Sequence, residues 1–368
     1  DYCLVIEKNE GVFEATWAKL DYQHKAISIF KKKKIKDLKK LKKPMFLFDK
    51  MVLALNSGQA TTIESVVHLK RSRGEEVINE AELDHLIFRG LWEFLNHYRS
   101  WVAKKMNVAD MDLVLANIEI KDVGLGTHRV FNPIGFKGSD FFLRFQGTFI
   151  SRELFNSLSF LNRWAKKFYI VESQAITAAS VPEPKDFVVE VGESKTSVFV
   201  FYEEEALYYK ENGWGLNNIL TVLAKAFALD RETAELILNR YLEKKLSVKT
   251  ERGIERMINQ EFTVLSEILA NFYNKAKGNK ARPIVYFNFR FALRPPDSFL
   301  SNQRFHLVNF SKWLELEGFE INLKKLKHFH SGSSQVALAL LTHPYNYPQY
   351  EFLNQLLHRR AKWLSVNI

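Results

Sequence analysis

The residues of this chain that could do chemistry are few and scattered. Cys3 is the single cysteine, so neither an internal disulfide nor a thiolate zinc site can form. No G-x-S-x-G, H-E-x-x-H or C-x-x-C occurs, which removes the usual frames for a nucleophilic serine, a catalytic zinc or a dithiol. His328 and His330 alternate as on a strand, a spacing commoner for surface or core histidines than for metal ligands. Glu203, Glu204 and Glu205 read as a solvated turn; a metal role would need more oxygen ligands at suitable spacing. What remains are glycine-bearing turns. Gly11 closes the run Glu7-Lys8-Asn9-Glu10-Gly11. Gly192 and Thr196 lie in Glu190-Val191-Gly192-Glu193-Ser194-Lys195-Thr196-Ser197. Asn132, Pro133, Gly135 and Gly138 form the segment NPIGFKG. Proline and glycine mark turns anywhere, so the meaning of each depends on the elements beside it.

The elements are legible in outline. CLVIEKNEGVFEATWAKL reads as two strands around Asn9-Glu10-Gly11, and MVLALN and TTIESVVHLKR as further strands. Asn79 can cap a helix whose Leu83, Leu86, Ile87, Leu91, Phe94 and Leu95 form an apolar stripe to about Lys105. MDLVLANIEIKDV and DFFLRFQGTFI are strands separated by a turn-rich link. Phe155, Leu158, Leu161 and Trp164 predict a helix over 151–168, followed by the strand FYIVES and a small-residue helix over Gln174–Ser180. DFVVEVGESKTSVFVFYEEEALYYKE then repeats the strand-turn-strand shape of the first segment, which suggests two lobes related by duplication. Residues 216–275 read as helical, IVYFNFRFAL as a buried strand, SKWLELE as a short helix and SSQVALALL as a closing helix or strand.

Length and composition agree with this plan. A chain of 368 residues is too long for one ordinary core, and 30 Phe, 13 Tyr and 7 Trp can fill several. No apolar run reaches a membrane span, and no basic start followed by an apolar stretch predicts a secretory signal. The net charge of +11 is unevenly placed. Residues 31–43, KKKKIKDLKKLKK, hold nine Lys against Asp37, which leaves about +3 for the rest. That argues against a broad phosphate-tracking surface, so no nucleic-acid partner is expected. Ile35, Leu38 and Leu41 recur every third residue in this run and permit an amphipathic helix. The other readings are a solvated loop or a guarded strand edge, and contact with anionic lipid.

Paired strand-turn-strand units resemble the actin-like nucleotide-binding superfamily, in which two hairpin turns hold phosphates through backbone N–H groups. Asn132, Pro133, Gly135 and Gly138 resemble the turn leading out of the inserted subdomain of the FtsA cell-division family. QAITAAS, VVEVGESKTSVFVF, NGWGLNNILTVLAKAF and DRETAEL follow in the family's order, and Glu235 matches its "AE-x-x-K" helix. The pilus-machine relative PilM is the alternative. The resemblance implies an α/β, two-lobed actin-like fold. Its divisions are 1–71, 151–185 and 334–349 for the first lobe and 72–150 for the insertion. They continue with 186–223 and 283–333 for the second lobe, 224–282 for a helical subdomain and 350–368 for a tail.

Departures from the pattern bear on chemistry. The second-lobe turn keeps one Gly of three and places Glu193 where a phosphate would lie. Glu7 and Glu10 flank the first turn near Gly11. Asn288, Phe289, Arg290 and Phe291 would crowd the base pocket, and Leu238 replaces the basic residue after Glu235. The expectation is a non-catalytic FtsA-like scaffold with no cofactor and no metal. ATP with magnesium enters through the resemblance alone, at Gly11, Gly192, Thr196 and Glu235, and an active, filament-forming ATPase is the competing class. Partners implied by the resemblance are the tubulin-like FtsZ, other division proteins, further copies in a head-to-tail filament and an anionic membrane. The implied location is cytoplasmic and peripheral on the inner membrane face.

In the tail, Phe352, Leu353, Leu356, Leu357, Ala361, Trp363 and Leu364 share one half of a helical wheel, with His358, Arg359 and Lys362 facing away. That is the make-up of an interfacial helix. Arg360 falls inside the apolar half and would have to snorkel. The competing expectation is a terminal helix docked on its own domain.

Overall fold

The structure is a computed structural model. It describes residues 1–368 except 10, 42–43, 45, 183, 202–207, 277–283, 301–304, 323–331 and 367–368, and leaves aside the side chains of 9, 208–209, 274–276, 332–334 and 362–366. Glu10, the Glu203–Glu205 run and the His328/His330 pair therefore lie outside the described residues, as do the side chains of Lys362, Trp363 and Leu364.

Three sheets organise the chain. The first contains β1 (Tyr2–Asn9), β2 (Val12–Asp21), β3 (Ala26–Ile35), β4 (Phe48–Leu55), β9 (Ala165–Glu172) and β15 (Glu320–Asn322), in the order β15-β3-β2-β1-β4-β9. The second contains β10 (Phe187–Val191), β11 (Thr196–Val200), β12 (Tyr208–Asn212), β13 (Val285–Phe289) and β14 (Phe305–Leu307), in the order β12-β11-β10-β13-β14. The two share one plan: β1 and β10 each pair antiparallel with the next strand and parallel with a later one. This is the internal echo of the sequence. β1 and β10 are buried on both faces, which explains their near-continuous apolar runs.

Helices α3 (Ser173–Ala179) and α9 (Gly332–Thr342) lie between these sheets. Val5, Ala18 and Val52 of the first lobe, Val188 and Phe199 of the second, and Ile176, Leu338 and Leu340 form one continuous core. The lobes therefore pack directly on each other. On the outer face of the second sheet sit α4 (Leu216–Phe227), α5 (Arg231–Leu242) and α6 (Val248–Ala276). The short α7 (Asp297–Leu300) adds Phe299 to that core, and α8 (Phe310–Leu316) adds Phe310 and Leu314 to the layer between the lobes.

The third sheet holds β5 (Ala60–Lys70), β6 (Leu113–Leu125), β7 (His128–Arg129) and β8 (Asp140–Ser151), in the order β5-β8-β6-β7, and is covered by α1 (Glu80–Met106). Asn79 caps α1 as expected, its side chain accepting from the Glu82 N–H. β5, which precedes the expected boundary at 72, pairs with β8 along its whole length and so belongs to this sheet.

Of the readings of the lysine run the guarded strand edge fits and the helix does not, while the helix over 151–168 is realised only in part. Residues 31–35 of the lysine run continue β3, and only Leu38–Lys40 make a 3-10 turn. The 151–168 segment is α2 (Arg152–Leu158) followed by a 3-10 stretch, Ser159–Trp164. In both, the residues that suggested a helix recur at three, the period of a 3-10 helix. The last helix, α10 (Glu351–Val366), docks on the insertion. Leu353, Leu356 and Leu357 are buried in its core, so they face protein and not a membrane; Phe352 and Arg359 are exposed.

Candidate functional site

Charged residues inside buried strands must find partners. Glu7 ends the apolar run of β1, Glu190 stands in the fully buried β10, and Arg290 follows β13, where its backbone N–H donates to the Val191 carbonyl. These strand ends meet at the cleft between the lobes. The Arg290 guanidinium is buried there and donates to both Glu7 and Glu190, one carboxylate from each lobe. It also donates to Ser173 Oγ at 2.9 Å, and that hydroxyl donates to Glu7 at 2.9 Å. An internal cation thus bridges the ends of β1, β10 and the start of α3.

Burial sets the electrostatics. It pushes the Glu190 carboxyl up and pulls the Arg290 guanidinium down. Glu172, one residue before Ser173, is raised by burial to about 7; its carboxylate accepts from the Thr62 N–H at 2.7 Å. Taking such charges out of water is costly, and mutual pairing has to offset it.

The second-lobe turn packs on the start of α4 through its carbonyls. The N–H groups of Leu216 and Asn217, at the start of α4, donate to the carbonyls of Gly192 and Glu193 at 3.2 and 2.8 Å. Gly215 permits this approach, since a Cβ there would lie 2.5 Å from the Glu193 carbonyl oxygen. Thr196 Oγ1 donates to the Trp214 carbonyl at 2.8 Å. Gly11 adopts a positive φ of 86°, and Glu235 is exposed on α5. Phe289 does not crowd the cleft as expected: it turns into the second lobe's core beside Phe262 and Phe287. Arg290 fills that space instead. A nucleotide with magnesium would need Arg290 displaced and the α4 amides released, so these residues do not fit the group.

NPIGFKG is a clasp. Ile78 and Phe136, and Gly135 and Ile78, exchange backbone hydrogen bonds at 2.9 and 2.8 Å. Arg71 donates to the Gly138 carbonyl at 2.6 Å. Gly135 and Gly138 have φ of 87° and 159°, which a side chain would strain. The Ile134 N–H, two residues after Asn132, donates to the Asn132 side chain at 3.1 Å.

Sequence reasoning missed a groove of about 1450 Å³. It opens at the start of β10, the end opposite Glu190, between the insertion and both lobes. Arg129 and Arg144 line one wall, Tyr347 and Tyr350 another, and Phe201 the second-lobe side. Lys121 reaches its edge from a bulge in β6. There Asn354 of α10 holds the Ile120 backbone by both N–H and carbonyl, and the Lys121 ammonium lies 2.5 Å from Glu119. Buried His343 sits 3.8 Å from the same carboxylate, its pKa drawn down to about 3 by burial. Glu119, Lys121 and Asp122, charged and close together in a largely apolar strand, were the available signal.

No family model and no curated protein matches the chain. Solved structures do. A PilM–PilN type IV pilus biogenesis complex is 11% identical, with 93% of this chain and 98% of that chain covered at a TM-score of 0.53. MreB 5 of Spiroplasma citri bound to AMPPNP is 8% identical, covering 96% and 98%, at 0.39. The activator of 2-hydroxyisocaproyl-CoA dehydratase from Clostridium difficile with bound ADPNP is 10% identical, covering 96% and 97%, at 0.33. At this identity the first match speaks for architecture, and with the two matching sheets it shows that the chain has the actin-like ATPase fold.

Proposed function

We propose that the chain is a non-catalytic adaptor, in which an internal guanidinium takes the place of a nucleotide between the lobes. The observation that carries this is Arg290, buried between Glu7 of one lobe and Glu190 of the other. Such a cleft closes without a ligand, and the opposite groove remains for a protein. PilM is solved with PilN, and by that likeness the occupant is a protein partner. Aromatic side chains along the groove suit its apolar residues; Arg129 and Arg144 suit its polar ones. No helix among the described residues is long and apolar enough to cross a membrane. The test is a titration of the purified chain with ATP or ADP and magnesium. No saturable binding and no thermal shift are expected at millimolar nucleotide. A rise of several degrees would restore the ATPase reading, because stabilisation follows RT ln(1 + [L]/Kd).

A second reading is the FtsA-like scaffold that links FtsZ to the membrane and assembles through the insertion. It is favoured by the NPIGFKG clasp, in which Phe136 is exposed, and by the exposed Phe131 just before it.

A further inference from the structure

The lysine run has no part in the cleft or the groove, yet its spacing has a structural use. Ile35 and Leu38 are buried in the core under the first sheet, and Leu41 packs against that core half-buried. These three residues pin the segment. Lys33, Lys34, Lys36, Lys39 and Lys40 stand exposed before and between them. Asp37, the run's only acid, is turned to the backbone and accepts from the Lys39 N–H at 2.9 Å. Lys32 and Lys34 lie 2.8 and 3.7 Å from Glu14, and Lys31 lies 4.8 Å above the Trp17 ring. Phe30, the extra residue of a bulge opposite Trp17 and Ala18, is 47% exposed at the head of the run. The result is a fixed edge of cations with one aromatic ring, not a loose basic tail.

We propose that this pinned lysine edge is where the protein meets an anionic membrane. Charge complementarity favours lipid. The cations are confined to about ten residues, project on both sides of a strand and form no groove, which suits a broad anionic surface. A nucleic acid would need a longer track of cations, and the remainder of the chain carries about +3. The docked α10 leaves Leu353, Leu356 and Leu357 unavailable for the same task. The proposal stands apart from the cleft and groove readings.

The test is co-sedimentation of the full chain with phosphatidylcholine vesicles, with and without phosphatidylserine. One variant carries Lys33→Glu, Lys36→Glu, Lys39→Glu and Lys40→Glu; a second carries Arg at the same four positions. Binding to the serine-lipid vesicles alone is expected, weakened by salt. It should fall at least about tenfold in the Glu variant and persist in the Arg variant. Circular dichroism of both variants reports folding; should the Glu variant misfold, Lys→Gln at the four positions replaces it with the same expectation. Equal binding by wild type and the charge-altered variant overturns the proposal. So does binding to soluble polyglutamate or to DNA without binding to vesicles, which would make the edge a site for an acidic protein or a nucleic acid.

Discussion

Arg290 makes the cleft's character depend on one side chain. Replacing it by Ala leaves Glu7 and Glu190 buried with no cation between them. The expected loss is about 3–5 kcal/mol of unfolding free energy, read by urea denaturation. Adding Glu7→Gln and Glu190→Gln to Arg290→Met should recover much of it, because the orphaned charges go as well. A loss no larger than that of an ordinary surface substitution would mean that the lobes are not joined there. Glu172 supplies a pH signature. Burial raises it from 4.5 to about 7, so between those values the folded chain holds a proton that the unfolded chain releases. Its contribution is complete below about pH 4.5 and is lost as pH rises through 7, a span of roughly 3 kcal/mol at most. Glu172→Gln, which can still accept from the Thr62 N–H, should flatten this fall in melting temperature. An unchanged pH profile would show that Glu172 is not the group responsible. The sequence already held these acids as charges inside apolar strand runs. It could not show that β1 and β10 end at one point, because that depends on how two separately folded sheets share α3 and α9.

Elements were legible where periodicity was unambiguous and were missed where pairing decided. The two strands of the first segment, the long stripe of α1 and the helical character of 216–275 all stand in the structure. In the lysine run Ile35, Leu38 and Leu41 permit a helical face, while pairing with β2 outweighs that local pattern and makes residues 31–35 the guarded strand edge of the other reading. The tail was open between membrane and protein, since both reward the same apolar stripe. Its two polar residues within that stripe carried the answer. Asn354 satisfies the Ile120 backbone, and Arg360 pairs with Asp84 of α1 and lies over the Phe88 ring. Neither arrangement has a counterpart in a lipid interface. Leu356→Asp with Leu357→Asp should therefore act on stability. Each Leu is buried, and truncation alone would cost roughly 2–5 kcal/mol. Thermal melting of the double variant should drop sharply. A variant of wild-type stability that no longer binds vesicles would instead return the tail to the membrane.

At the scale of the molecule, the insertion stands out as the part with unspent surface. The two lobes bury their facing sheets against α3 and α9, and α10 closes one side of the third sheet. Away from these contacts the insertion leaves Trp92 of α1, Met111, Phe131 and Phe136 exposed. If one copy's insertion rests on a different surface of the next, the contact is heterologous and propagates unless the rotation closes into a ring. Head-to-tail assembly through residues 79–150 is therefore expected as concentration rises. Buried aromatic anchors in such contacts are worth roughly 2 kcal/mol or more, so Trp92→Glu with Phe136→Glu should raise the assembly threshold by more than about tenfold. Both side chains are already exposed, so melting should change little. Sedimentation across a concentration series reads the threshold, in solution and on a lipid monolayer. Because Arg290 already joins the lobes, the same assembly is expected with and without added ATP. A threshold that moves with nucleotide would contradict the closed cleft. A chain that stays monomeric at high concentration on lipid would instead remove the insertion as an assembly surface and leave the groove as the docking feature.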